Sequence, residues 1–348
     1  MHDVHPAGVE TPTPDEILQV GLGFWASKAL LSAVELGVFT ALGVDRLDGE
    51  ALRELVGLHP RGSRDFLDAL TALGFLERDD RCVPARYSNT PATSAFLDRN
   101  QPTYVGGLLE MANDRLYPFW ANLTDALKTG QMQNEAKAMG GTLWDVLDSD
   151  PDRLERFMRA MAGIQLGNFH ALADRFPFEQ HRNVTDVGGG AADLSIVLAN
   201  RHPHLHCTSF DTPSVTALAA RAVDDAGLSN RVTAAAGDMF TDPLPAADVI
   251  TMCNVLHDWD LDRRGRLIAA AHAALVDGGA LLIVENLVDD ERRHSAFGLL
   301  MSLNMLIETA GGFGATGADL QAWCLANGFT SVTVEPLSGP TMLAVARK

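Results

Sequence analysis

Asp186-Val187-Gly188-Gly189-Gly190-Ala191-Ala192-Asp193 is the stretch that decides the fold. Val184 to Val187 reads as a strand ending in glycines, and residues 194–199 as the helix after it. Glycines at such a turn let a ligand approach the backbone where a side chain would collide. Working outward, strand readings at 206–210, 232–236, 247–253 and 280–284 alternate with helix readings at 215–226 and 263–275. Helices at 297–307 and 317–327 and strands at 330–334 and 341–346 complete the series. This β-α alternation predicts an α/β domain with a doubly wound sheet and right-handed crossovers. Ligands of such sheets bind at the carboxyl ends of the strands.

The same turn narrows the ligand. A dinucleotide fingerprint, G-x-G-x-x-G, needs a third glycine where Asp193 stands, and a carboxylate beside a pyrophosphate is repelled. A cofactor without phosphates fits better. Asp211, about 20 residues downstream at the next strand end, is placed to accept from both hydroxyls of a ribose. Asp238 in Gly237-Asp238-Met239-Phe240 is placed to accept from an adenine amino group, with Met239 packed on the ring. Each acid alone is as readily a helix cap or a solvated loop residue; acids at successive strand ends together point to a nucleoside.

Composition limits the partners. The 348 residues allow two or three domains, and 47% hydrophobic residues suffice for a sizeable core. A net charge of -18, spread along the chain, disfavours nucleic acid, which needs clustered Lys and Arg. Cys82, Cys207, Cys253 and Cys324 form no C-x-x-C pair and read as reduced thiols. The first 14 residues are polar, without the apolar region of a secretory signal, and read as a loose tail. No run of about 18 apolar residues is apparent, so no membrane span and a cytoplasmic location are expected.

Upstream of the sheet, residues 1–100 predict a mostly helical domain. Apolar residues recur at helical spacing over 17–42, with Gly37 between two helices, and a helix is expected from Ser63 as N-cap. Two strands flanking Asp79-Asp80 make a hairpin, giving a winged-helix pattern. Its third helix carries Arg64, Asp65 and Asp68, a balance that gives little reason for a DNA contact. The apolar residues of 25–39 suit burial by a second subunit. Residues 101–178 read as a helical linker that contributes the substrate pocket, with Leu108, Met111, Leu116, Trp120, Leu123 and Leu127 as one stripe; 179–348 is the α/β domain. Met111, Trp120, Phe157, Met161, Asn304 and Met305 are the candidates to line an acceptor site.

Taken in order, D-V-G-G-G, F-D-T-P-S-V, G-D-M-F, L-H-D-W and E-N-L-V resemble the caffeic-acid and acetylserotonin type of O-methyltransferase, over essentially the whole chain. The resemblance implies a Rossmann-like domain binding S-adenosylmethionine (SAM), an N-terminal winged-helix dimerisation domain, a homodimer, and a small-molecule acceptor, as in bacterial members that decorate antibiotics. It implies that Asp186, Gly188, Gly190, Asp211, Asp238, Met239 and Cys253 line the cofactor, Cys253 standing where the family often has Lys. It implies His257 as catalytic base and Glu285 as the acid that orients it. A histidine titrating near neutrality can take a hydroxyl proton, and a carboxylate at its other nitrogen fixes the tautomer. The family's second acid is absent from Gly311-Gly312-Phe313-Gly314, which leaves Glu308, just before, as the candidate replacement. Two alternatives stay open. His257, Asp258 and Glu308 could hold a metal for C-methylation of an α-keto acid, although Asp258 reads better as a helix N-cap. A non-catalytic SAM-binding regulator is the other.

Overall fold

The computed structural model describes residues 13–348, so the expected tail lies, but for Thr13 and Pro14, outside the described residues. The chain divides into two units, Met1–Asn113 and Asp114–Lys348.

In the N-terminal unit, helices Phe24–Glu35, Val38–Leu42, Gly49–Leu55 and Pro60–Ala72 bury Val34, Phe39, Leu42, Leu52, Leu67 and Leu70 in one cluster. Gly37 separates the first two with a φ of 71°, a left-handed residue that glycine adopts freely. The last helix begins three residues before Ser63, because Pro60 fits the first turn and the His59 ring accepts from the Arg61 N–H. Three short strands, β1 (Leu47–Asp48), β2 (Leu76–Asp79) and β3 (Arg86–Asn89), form a sheet in the order β1-β3-β2. Among the described residues, Asp15–Glu35 is long and apolar enough to cross a membrane by length and composition alone, with a mean hydropathy of 1.4. It is not an unbroken apolar run: Asp15, Glu16 and Lys28 stand within it, and Leu22–Gly23 divide it into two helices. In the single chain Ile17, Val20 and Trp25 are exposed by 75%, 83% and 62%, an apolar face without cover.

In the second unit, the stripe expected to run on through Leu127 is broken. Ala112–Leu116 is a π-helical turn, after which come the short helices Tyr117–Trp120 and Leu123–Thr129. A π turn adds a residue and rotates the chain beyond it, so Leu127 ends exposed. The long helix Pro151–Arg175 starts at Asp150, whose side chain accepts from the Arg153 N–H.

The sheet has seven strands: β4 (Asn183–Val187), β5 (His206–Asp211), β6 (Val232–Ala236), β7 (Ala247–Cys253), β8 (Leu275–Glu285), β9 (Ser331–Ser338) and β10 (Thr341–Arg347). Their order is β6-β5-β4-β7-β8-β10-β9, parallel throughout except that β10 runs antiparallel to both neighbours. Buried on both faces, β8 reads as a continuous apolar run. Ala280, Leu282 and Val284 join the core that holds Leu172 and Leu198, while Leu281 and Ile283 join the one that holds Ile268 and Leu320. The parallel register aligns the carboxyl ends of β6, β5, β4, β7 and β8 along one edge.

Candidate active site

The glycine turn leaves β4 at that edge. Gly188 and Gly190 hold φ of 68° and 56°. A Cβ on Gly188 would lie 2.7 Å from Val255 Cγ2, and one on Gly189 2.3 Å from Ser209 Oγ, so neither position admits a side chain. At Gly190 the nearest atom to a Cβ would be Met158 Sδ, 3.7 Å away, which leaves that position open to a ligand. The Gly190 N–H donates to Asp211 Oδ2 at 2.9 Å and the Thr212 N–H to Oδ1 at 2.7 Å. Burial pushes the Asp211 carboxyl up to about 6, against those two bonds. Each oxygen retains a further lone pair, so a diol can still donate to it. Beneath the turn, Thr251 Oγ1 donates to Asp186 Oδ1 at 2.6 Å, and burial pushes Asp186 up to about 7. Asp238 comes just after β6, is exposed, and accepts from the Phe240 N–H; Met239 is half-buried beside it. Burial holds the Cys253 thiol, at the end of β7, well above its usual range. A cleft with an open glycine, a diol-ready carboxylate and acidic rather than basic neighbours fits a phosphate-free nucleoside.

Past β7 the chain makes a tight turn at Asn254, φ 54°, into the 3-10 helix Leu256–Asp258. This sets His257 beside Glu285, the last residue of the adjacent strand β8. His257 Nδ1 lies 2.5 Å from Glu285 Oε2, and the His257 N–H donates to Oε1 at 3.3 Å, so one carboxylate fixes both ring and backbone. Nε2 is left without a close partner, Asp258 Oδ1 being 3.5 Å away. Burial alone would lower the imidazole pKa. The charges of Glu285 and Asp258 and the Glu285 hydrogen bond outweigh it and carry the group to about 9. Asp258 is not the helix cap that its place in the sequence suggests: Asp260 accepts from the Arg263 N–H and caps Leu261–Ala274.

Arg264, which sequence reasoning missed, is almost wholly buried below this turn. Its guanidinium donates to the carbonyls of Trp259, His257 and Phe313 and lies 3.7 Å from the centroid of the Phe313 ring. It thereby ties the His257 turn to the Gly311–Phe313 loop. Gly312 packs so closely there that a Cβ would sit 2.4 Å from the His257 carbonyl oxygen.

Helix Ala296–Glu308 packs on the His257 turn, and Met301, Ser302, Met305 and Gly314 share a small cavity with His257 and Glu285. One turn along, Asn304 Oδ1 accepts from Trp120 Nε1–H at 2.8 Å. Phe157 meets Trp144 edge-on and Met161 lies one turn further, half-buried, on the helix whose Met158 faces Gly190. Met111 belongs to the N-terminal unit. Glu308 is not brought to His257. Its Oε2 accepts from Arg115 Nη2 at 2.8 Å, and Arg115 in turn forks onto Glu135. His257, Asp258 and Glu308 therefore do not converge as a ligand set, and among the described residues no three His, Cys, Asp or Glu side chains do. The only sequence signal for Arg115 is a charge set within an apolar helical stretch.

Comparison with known proteins gives the family. The O-methyltransferase domain family matches residues 120–330, and the O-methyltransferase dimerisation domain family residues 18–99. The tetracenomycin polyketide synthesis 8-O-methyl transferase TcmO of Streptomyces glaucescens is 42% identical over 96% of this chain and 97% of its own length. The chain belongs to the O-methyltransferase family. The 3-hydroxy-5-methyl-1-naphthoate 3-O-methyltransferase of Streptomyces sahachiroi is 33% identical over 94% of the chain and 92% of its own. Human N-acetylserotonin methyltransferase, crystallised with SAM, superposes with a TM-score of 0.89 at 28% identity, over 98% and 99% of the two chains. This O-methyltransferase is thus an enzyme that uses SAM as methyl donor, on a helical N-terminal dimerisation domain and a Rossmann-like sheet. The uncovered face of Asp15–Glu35 falls largely within the dimerisation domain.

Proposed function

We propose that this enzyme methylates a hydroxyl of an aromatic small molecule of secondary metabolism, with His257 as general base. The observation that carries the reading is the 2.5 Å contact between His257 Nδ1 and Glu285 Oε2, which leaves Nε2, 3.5 Å from Asp258 Oδ1, as the nitrogen that exchanges the proton. Gly188 and Gly190 line the cofactor, Asp211 takes the ribose hydroxyls, Asp238 and Met239 take the adenine, and Asp186 and Cys253 close the floor. Bound there, SAM supplies an electrophilic methyl group on a sulfonium. His257 Nε2 accepts the hydroxyl proton while Glu285 holds the Nδ1–H and stabilises the imidazolium. Trp120, Phe157, Met161, Asn304 and Met305 hold the acceptor so that its oxygen meets the methyl in line. The aromatic walls, and the tetracenomycin and naphthoate enzymes among its relatives, support an aromatic acceptor. The uncovered apolar face supports a homodimer, and four unpaired cysteines suit the reducing cytoplasm.

The test is methyl transfer from labelled SAM to a panel of hydroxylated naphthalenes and anthraquinones. Transfer by the native enzyme that is lost in His257→Ala, with S-adenosylhomocysteine binding retained, is the expected result. Transfer that survives the substitution overturns the assignment of the base.

A further inference from the structure

The guanidinium of Arg115 has two hydrogen-bonding edges, and they are used unequally. The Nε–Nη2 edge is filled by Glu135, at 2.9 and 3.0 Å. On the Nη1–Nη2 edge Glu308 makes one contact, Nη2 to Oε2. Arg115 Nη1 and Glu308 Oε1 are both buried and have no protein partner. Leaving a buried donor and a buried acceptor unmet is costly, and closing the fork on Glu308 would satisfy both. The fork is left open while the helix end beside it is held: Asn134 Nδ2 donates to the Glu308 carbonyl and the Gln133 N–H to that of Ile307.

The position of the pair points to a ligand. Met301, Asn304, Met305 and Glu308 recur on one face of a helix, and Met301 and Met305 share a cavity with His257. Glu308 thus lies about 4.5 Å along the helix axis from Met305. The Arg115 guanidinium lies over the Phe119 and Phe157 rings, 5.7 and 5.8 Å from their centroids, so the pair is set among aromatic side chains. Arg153 meets Glu135 at 3.4 Å, so two arginines balance two glutamates and the site favours an uncharged guest.

We propose that Arg115 Nη1 and Glu308 Oε1 are the polar end of the acceptor pocket and recognise a carbonyl adjacent to a hydroxyl on a fused aromatic acceptor. The carbonyl oxygen accepts from Nη1 and the hydroxyl donates to Oε1. A different hydroxyl, at the far end of the ring system, reaches His257. The substrate class is therefore a neutral polycyclic hydroxyketone or hydroxyquinone. This rests on the reading of the site as an aromatic O-methyltransferase pocket, but its test is read by binding, not by turnover.

Affinities of the enzyme loaded with S-adenosylhomocysteine are measured for 1-hydroxyanthraquinone and for 1-hydroxyanthracene, which lacks the carbonyl. The native enzyme is expected to bind the quinone at least tenfold more tightly. Arg115→Lys keeps the charge facing both glutamates but removes Nη1. It should abolish that preference while 1-hydroxyanthracene and S-adenosylhomocysteine affinities stay within twofold. Equal affinities in the native enzyme, or equal weakening of both probes in the variant, would overturn the proposal and leave the pair a structural ion bridge or a water site. Selective quinone binding without methyl transfer from any phenol would support this subsite and overturn the role of His257.

Discussion

The proposed cofactor cradle is made of backbone and strand ends between Asp186 and Asp238, whereas the proposed acceptor wall is made of side chains from segments 115–161 and 296–308. In the cradle, glycine φ values and close approaches to Val255 and Ser209 leave few residue types acceptable. In the wall, Trp120 meets Asn304 across 184 positions and Arg115 meets Glu308 across 193. A site built from backbone tolerates little variation and keeps one ligand. A site built from distant side chains is free to change its guest. The His257–Glu285 pair stands where the two regions meet.

Four measurements sharpen or break this contrast. The largest effect should come from His257→Ala, a loss of about 10³-fold in kcat, in the range of general base catalysis, with S-adenosylhomocysteine affinity unchanged by calorimetry. A parallel loss of cofactor affinity would mean that the two regions are not separable. Next, Asp211→Ala should weaken SAM binding by about 30- to 100-fold, the worth of charge-assisted bonds to a diol, while kcat at saturation persists. Glu285→Gln should lower kcat by about tenfold and move the pH–rate limb. Free His257 is protonated below about 9, so native activity should rise with pH toward that value; with the Glu285 charge gone, the limb should fall toward the ordinary histidine range. An unmoved limb would assign it to another group.

The smallest effect is on stability. Asp186 has a folded pKa of about 7, raised by burial above its unfolded value. Its contribution is therefore fully present below about pH 4 and lost as pH rises through 7. Asp186→Asn, neutral throughout, should raise the unfolding free energy by about 1–3 kcal/mol at pH 8 and hardly at all at pH 4, measured by urea denaturation. It should also weaken SAM binding, which would mark Asp186 as a residue kept for its ligand at a cost in stability.

The same division explains which parts of the molecule are legible in the sequence. The strands β4, β5 and β6 are legible because their apolar runs end in Gly-Gly-Gly, Asp211 and Gly237-Asp238, each a local signal. His257 and Glu285 are legible through the L-H-D-W and E-N-L-V motifs of the resemblance, Glu285 closing β8 and His257 following the end of β7 by four residues. Arg115, Glu135 and Arg264 are not, since each acquires its role from a partner that only folding supplies. Asp258 is easily misread as a cap because Asp260, two residues on, offers the same local chemistry. The continuous stripe through Leu127 fails for a similar reason: one π turn shifts the phase, and no residue between Ala112 and Leu116 announces it.

The antiparallel placement of β10 has a consequence for how the protein comes into being. β10 lies between β8 and β9, and its Met342 pairs with Glu285. During synthesis, the strand that carries the orienting carboxylate therefore waits with one edge bare until residues 341–347 have cleared the ribosome. A message truncated before Thr341 would yield a chain holding every residue of the proposed active site and a sheet unable to close around it, a client for chaperones and proteases.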